Sequence, residues 1–320
     1  ITNNMFRFTN NAFGGVGLWI INKAPFYAGG AAAVTVHRPD IAGDFTMQPA
    51  HVFGAIPGGE MLLVSAGWSF DFGLGNGTGA EAVSVTRVQN PLGAVAFSQQ
   101  FVNGPNIENA LLAMPDAPQK ACPTVNANEF LPVNPAIETN DRRALNAVWR
   151  NNNLYVADTI RPEFGADAGQ ATAHWWRVNT TNLAAMTLAD QGNVGGEDLG
   201  ASTHTFFASV AVDAWDNMAI GFSASNSNIH AGAYYTGRKA GAPAGTVQST
   251  GTLALGTDCY RRTFCGTRNR WGDYSGIALC PNDGGTFWVF NEYAITRGTA
   301  TACGAGGTNL ELGRWGTRWG

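Results

Sequence analysis

The stretch "SGIALCPNDGGTFWVFNEY", residues 275–293, sets out a β-hairpin in a single line. Ile277, Ala278 and Leu279 form a short apolar run, a Pro281-Asn282-Asp283-Gly284-Gly285 turn follows, and Phe287-Trp288-Val289-Phe290 resumes with strand-forming residues. Asn, Asp and Gly accept the positive φ that tight hairpin turns need. The same design recurs in "ALNAVWRNNNLYVADT" (144–159), turning at Asn151-Asn152-Asn153, and in "SVAVDAWDNMAIGFSAS" (209–225), turning at Ala214-Trp215-Asp216-Asn217. Two earlier segments, "NMFRFTNNAFGGVGLWIIN" (4–22) and "PAHVFGAIPGGEMLLVSAG" (49–67), read as hairpins of the same kind. Each hairpin is followed by at least one more strand-like run: "AAAVTV", "AEAVSVTRV", "TAHWWRV", "AGAYYTG" and "NLELGRWG".

A hairpin plus one or two outer strands, repeated along the chain, is the signature of a propeller blade. We therefore expect an all-β protein, a β-propeller of four-stranded antiparallel blades, with about five blades visible. Their first strands begin near Ile1, Gln48, Arg142, Thr205 and Trp271. Residues 1–320 form a single domain on this reading, and the Pro-rich segment 103–140 is a long inter-blade loop. A β-sandwich also has many short strands but rarely needs five similar hairpins. An open array of blades exposes apolar surface at both ends. The pattern also begins at Ile1 without an initiator Met, so the expectation is part of a ring of about six or seven blades. A missing N-terminal segment or a partner chain would complete it.

Composition narrows the function. Only 13% of the 320 residues are charged, against a usual quarter or so, while Trp numbers 10 and Gly 41. Lysine occurs only at Lys23, Lys120 and Lys239 and the formal net charge is -4, which argues against binding nucleic acid through its phosphates. No apolar run approaches the roughly 20 residues of a membrane span. Scarce lysine with five cysteines fits a secreted or cell-surface setting.

The segment "RNRWGDYSGIALCPNDGGTFWVFNEYA" (268–294), followed by "RWGTRW", resembles a recurrent segment of large secreted bacterial proteins of the sialidase-like β-propeller type. Arg270, Trp271, Gly272, Asp273, Tyr274 and Ser275 match its first motif, and Thr286, Phe287, Trp288, Glu292 and Tyr293 its second. The resemblance extends more loosely through "ITNNMF", "LWIINKAPFYAG", "QPA" and "DRRALNAVWRNNNLYVA". It implies a fold rather than a reaction. The turn also resembles a degenerate Asp-box of sialidase-type blades, with Cys280 at the Ser position, Asn282 at the Asp position, and Gly284, Thr286 and Phe287 in place. In that family the box is a folding device, its acidic side chain accepting backbone N–H groups across the turn.

In a propeller the loops entering the first strands crowd one mouth of the channel. Those loops carry Asn3 and Asn4, Gln48 and His51, Asp141, Arg142 and Arg143, His204, and Arg270 with Asp273. Of these, Arg142, Arg143, His204, Arg270 and Asp273 are the candidate ligand-binding residues. Two readings stay open: a site for a polar ligand, or a brace in which Arg270 and Asp273 hold neighbouring blades together. Asp141, Asp273 and Glu292 are the candidate catalytic carboxylates of a glycan-active hydrolase. Sialidase chemistry needs a Tyr–Glu pair, and Glu292 and Tyr293, adjacent in a strand, point to opposite faces. The five histidines have no zinc-site spacing, so no metal or cofactor is expected. Calcium has two candidate turns, Asp213-Asp216-Asn217 and Asn282-Asp283, and ordinary turn chemistry explains both. Among the cysteines, a Cys259–Cys265 disulfide is favoured, with Cys122 or Cys303 paired to each other or to a missing segment. Cys280, about 25 Å away at the far end of a strand, is read as a buried free thiol.

Taken together, the expectation is an extracellular binding or scaffold module for a glycan, polymer or surface protein. The alternative is a sialidase-like hydrolase with carboxylates and arginines at the channel mouth.

Overall fold

The computed structural model of the protein describes residues 4–9, 12–37, 46–70, 80–105, 113–122, 136–299, 301–302 and 310–320. Asn3 and Cys303 lie outside them. The chain is all-β, built from antiparallel sheets that follow one another in sequence, and among the described residues no sheet closes on itself. The first sheet comprises Asn4–Thr9, Ala12–Asn22 and Ala33–His37. The second comprises Gln48–Pro49, Met61–Phe70, Ala80–Gln89 and Ala96–Asn103. The third has Asn146–Arg150, Asn153–Ile160, Thr172–Asn179 and Thr187–Val194, with His51–Phe53 added at its edge. The fourth has His204–Val212, Met218–Asn226, Ile229–Arg238 and Gly251–Ala254. The fifth has Gly276–Leu279, Phe287–Ile295 and Arg314–Trp319.

The hairpin turns do what their residues dictate. Asn151 and Asn152, at φ 47° and 57°, close the first hairpin of the third sheet in the left-handed region that Asn tolerates. In the fourth sheet Asp213 Oδ1 accepts the N–H groups of Trp215 and Asn217, at 2.8 Å each. In the fifth the acceptor is Asp283, not Asn282 as the Asp-box alignment has it. Its Oδ1 takes the Gly285 and Thr286 N–H groups at 2.9 Å, and its Oδ2 takes the Thr286 hydroxyl at 2.6 Å. The acceptor thus stands one residue beyond the position that the resemblance implies. Those hydrogen bonds, the Thr286 hydroxyl first, hold the Asp283 carboxyl down at about 2. Asp213 and Asp283 are thus spent on donors of their own turns and Asp216 accepts Asn151 Nδ2 at 3.0 Å, and no group of three or more His, Cys, Asp or Glu among the described residues is arranged to hold a metal.

Consecutive sheets pack face to face through apolar clusters. Leu18 and Ile20 of the first sheet meet Leu63 and Val88 of the second. Leu62, Val64, Val83 and Val85 of the second meet Trp149 and Trp176 of the third. The other face of the third, with Tyr155 and Trp175, meets Val210, Val212 and Ile220 of the fourth. The adjacent tryptophans Trp175 and Trp176 thus point to opposite faces of one strand, each almost fully buried. Both serve intersheet packing. The fourth and fifth sheets pack tightly at Gly221, where a Cβ would sit 2.7 Å from Val289 Cγ1.

One expected hairpin is divided. Gln48–Pro49 pairs with Met61–Phe70, but His51–Phe53 leaves that sheet and runs parallel to Asn146–Arg150 of the third. Pro49 lacks the N–H that would continue the ladder, and Ala50 makes the last bond, to Leu62 O at 2.9 Å. The second sheet is thereby stitched to the third by backbone as well as by its core.

The Pro-rich segment between the second and third sheets docks on the fourth and fifth. Ala117 and Ile137 form an isolated bridge and enter an apolar cluster with Phe206, Tyr260, Trp271 and Ala294. Buried Gln119 clasps the Tyr260 backbone, accepting its N–H at 2.7 Å and donating to its C=O at 2.6 Å. Cys122 then bonds to Cys259, with Cα atoms 5.0 Å apart and 137 residues between them in sequence. The expected Cys259–Cys265 pairing is therefore wrong: the docked segment brings Cys122 to Cys259, and Cys265 is engaged in a different disulfide. Cys280 is a free thiol, half-buried rather than buried.

Candidate functional site

Two loops build a charged cluster: residues 136–145, entering the third sheet, and residues 259–275, entering the fifth. Their backbones are joined where Glu138 N–H donates to Asn269 O at 3.0 Å. The RWGDYS segment divides its side chains between core and surface. Trp271 is buried, its ring 4.7 Å from Tyr260 in a T-shaped contact and its Nε1 donating to Ser223 Oγ at 3.2 Å. Ser275 donates to Phe207 O at 2.6 Å, where the first strand of the fourth sheet bulges between Phe206 and Ser209. With Trp271 and Ser275 anchored, Arg270, Asp273 and Tyr274 are held at the surface.

Arg270 Nη2 donates to both oxygens of Asp273, at 2.7 and 2.9 Å. Its Nε lies 3.4 Å from Glu138 Oε2, and Arg268 pairs with the other oxygen of Glu138. On the neighbouring loop Arg143 forks onto Asp141, with Nε to Oδ1 and Nη2 to Oδ2 both 2.7 Å, and its backbone N–H adds a bond of 3.0 Å. Burial alone would push the Asp141 carboxyl up, but Arg143 outweighs it and holds it below the usual carboxylate range. Arg143 is raised in turn, by Asp141 first, and the exposed Tyr274 adds to the effect. Burial pushes the Glu292 carboxyl up, the Gly272 N–H opposes it, and Asp273 adds to the rise. A Cβ on Gly272 would run into the Glu292 carboxylate, which would have to shift to admit it.

Asp141, Arg143, Arg270, Asp273 and Glu292 thus belong to one neighbourhood, linked by ion pairs and by mutual electrostatic influence. Half-buried Arg142 joins it through its field on Asp141. His204 does not. Its Nδ1 accepts the Ala171 N–H at 3.1 Å between the third and fourth sheets, and burial lowers its pKa to about 4. His51, also placed at the mouth by sequence, stacks on Phe53 in the crossing strand, with ring centroids 4.4 Å apart.

Sequence reasoning missed Glu138 and Arg268. Glu138 lay in a segment read only as a loop, yet it holds two arginines. Arg268 carried a usable signal: it stands two residues before Arg270, and alternate residues of an extended run face the same way. Arg268 is also the most exposed guanidinium in the ion pairs described, with 58% of its side chain accessible.

Comparison of the chain with protein-family models, with curated proteins and with solved structures returned no match. Among the described residues no helix is long and apolar enough to cross a membrane.

Proposed function

We infer that this is an extracellular or cell-surface binding module of propeller type, allied to the sialidase-like secreted bacterial proteins it resembles, and that its charged cluster engages a glycan. Sheets stacked in chain order and the Asp283 turn support the propeller reading, and the Cys122–Cys259 disulfide supports the extracellular setting. The observation that carries recognition over catalysis is the commitment of the carboxylates. Asp141 and Asp273 each hold an arginine from their own loop through both oxygens, an arrangement that fixes loop shape and leaves neither as a free base. Arg268 then offers N–H donors to solvent beside a braced, pre-organised surface.

A second reading, a two-carboxylate hydrolase, rests on one feature. Glu292 has its carboxyl raised beside Asp273, the kind of asymmetry that separates an acid from its partner. Affinity electrophoresis through gels containing polygalacturonate or dextran tests the first reading. The protein is expected to be retarded by at least one of these, and Arg268→Ala to lose most of the retardation while keeping its melting temperature. No retardation by either polymer, or equal retardation of the variant, would overturn it.

A further inference from the structure

We propose that a cleft between the fourth and fifth sheets binds a small aromatic anion, a flat apolar body carrying one carboxylate or sulfonate. Beyond the tight contact of Gly221 with Val289 the sheets part, because the fourth sheet offers little side chain there. Gly221 pairs with Tyr235 and Ala219 with Gly237, and residues directly opposite in an antiparallel pair share a face. Ala219, Gly237 and Tyr235 therefore look toward the fifth sheet. A cavity of about 690 Å³ remains, within the size range of small-molecule sites.

The chain itself closes two sides. At the inner strands the hairpin turns of the two sheets meet: Ala214 N–H donates to Gly284 O at 3.4 Å, and a Cβ on Gly285 would sit 2.9 Å from Trp215 Cζ3. At the outer strands Leu253 lies against Gly320, whose Cβ would sit 3.1 Å from Leu253 Cδ1. Tyr235 forms one wall. Its ring lies across Gly251, where any Cβ would collide with it, and the residue stays 43% exposed. Half-buried Phe287 and buried Val289 line the facing sheet.

The polar groups of the lining fall into two sets. Buried Asp213 gives one oxygen to the Trp215 and Asn217 N–H groups and the other to Asn217 Nδ2 at 2.7 Å. Arg238 is paired with Asp190 at 2.8 Å. Lys239, Gln248 and Tyr235 are uncommitted: among the described residues, no hydrogen bond or ion pair engages the ammonium, the side-chain amide or the phenol. A Cβ on Gly237 would sit 3.2 Å from Gln248 Oε1, so that amide reaches over the cleft floor. All three groups can donate, and Lys239 is the one charge on the lining without a counter-charge among the described residues. Apolar walls with one uncompensated cation complement a molecule that is apolar over most of its surface and negative at one end. An aromatic body suits a gap bounded by Tyr235 on one sheet and Phe287 on the other. A neutral sugar would leave hydroxyls unpaired against Ala219, Phe287 and Val289. The cleft lies at the turn ends of the strands, away from the loops of the charged cluster, so this site is independent of the glycan reading.

Fluorescence titration of the folded chain with two probes tests the proposal: 1-anilinonaphthalene-8-sulfonate, an aromatic anion, and N-phenyl-1-naphthylamine, the same body without the sulfonate. Saturable one-to-one binding is expected, with the sulfonate held about tenfold more tightly. Lys239→Gln should erase that preference, bringing the two probes to about the same affinity. Tyr235→Ala should weaken both by roughly tenfold. Both side chains are exposed, and both variants are expected to keep the wild-type melting temperature. Any of three results would overturn the proposal: no saturable binding, equal affinity of the wild type for the two probes, or an unchanged affinity for the sulfonate in either variant.

Discussion

Replacing Gln119 by alanine is the sharpest probe of how the Pro-rich segment is held. Its side chain is buried and meets both polar groups of the Tyr260 peptide, at 2.7 Å to the N–H and 2.6 Å to the C=O. After truncation the Tyr260 N–H is left in the core without its acceptor, which costs about 1–3 kcal/mol. The carbonyl fares better, because Asn269 Nδ2 still donates to it at 3.0 Å, so the lost bond there costs about 1 kcal/mol. The sum is about 2–4 kcal/mol, which at about 1.5 °C per kcal/mol for a chain of 320 residues lowers the melting temperature by a few degrees. The Cys122–Cys259 bond keeps the segment tethered, so the variant is expected to fold and to unfold cooperatively at lower urea concentration. Urea titration followed by tryptophan fluorescence, with the slope m compared to wild type, reads the change. A loss of less than about 0.5 kcal/mol at unchanged m would be that of an ordinary surface substitution and would refute the clasp.

Other perturbations test other parts of the structure. Burial holds the His174 imidazole down at about 4, whereas in the unfolded chain it titrates near 6.5, so the unfolded state binds the extra proton between these values. Stability from this group is complete above about pH 6.5 and is lost as pH falls toward about 4, with about 2 kcal/mol gone by pH 5. Urea titrations at pH 7 and pH 5 should show His174→Gln losing less than wild type over that interval, and equal losses would exclude the effect. Gly272→Ala drives a methyl group into the Glu292 carboxylate and is expected to lower the melting temperature. In Gly272→Ala/Glu292→Ala much of that loss should return, and strict additivity in calorimetry would mean the two do not touch. Cys122→Ser opens a covalent loop whose ends are 137 residues apart, for which chain entropy gives a loss of up to about 5 kcal/mol. In dithiothreitol the wild type and Cys122→Ser should melt at about the same temperature, below that of the wild type without reductant, and a reductant-insensitive wild type would contradict the bond's role.

Local turn chemistry was legible from sequence because each hairpin depends on a few neighbouring residues. Asn151 and Asn152 adopt positive φ where two strand-like runs meet, and two first strands begin at Gln48 and His204, at or next to the expected points, whereas those at Asn146 and Gly276 begin later than the expected Arg142 and Trp271, which lie in loops. What was not legible depends on groups distant in sequence. Nothing local to Cys259 favours Cys122 over Cys265. That choice is made by Gln119, Ala117 and Ile137 docking on residues more than a hundred positions away. The transfer of His51–Phe53 to the third sheet requires a free strand edge there, which no pattern near Pro49 reveals. The turn acceptor fell to Asp283 rather than Asn282 because a one-residue change of register alters which side chain reaches the N–H groups. At the charged cluster the residue types were visible, but the pairing of Asp141 with Arg143 and Asp273 with Arg270 appears only once the two loops are side by side.

Following a polymer's length while it is bound tests most directly whether the cluster recognises a glycan or cuts it. The protein is incubated at length with polygalacturonate and with dextran, and light scattering reports chain mass in the same samples whose gel retardation depends on Arg268. The expected result is retardation with no fall in polymer mass. Progressive shortening of either polymer, abolished by Glu292→Gln, would contradict the binding-module account and assign the cluster to hydrolysis.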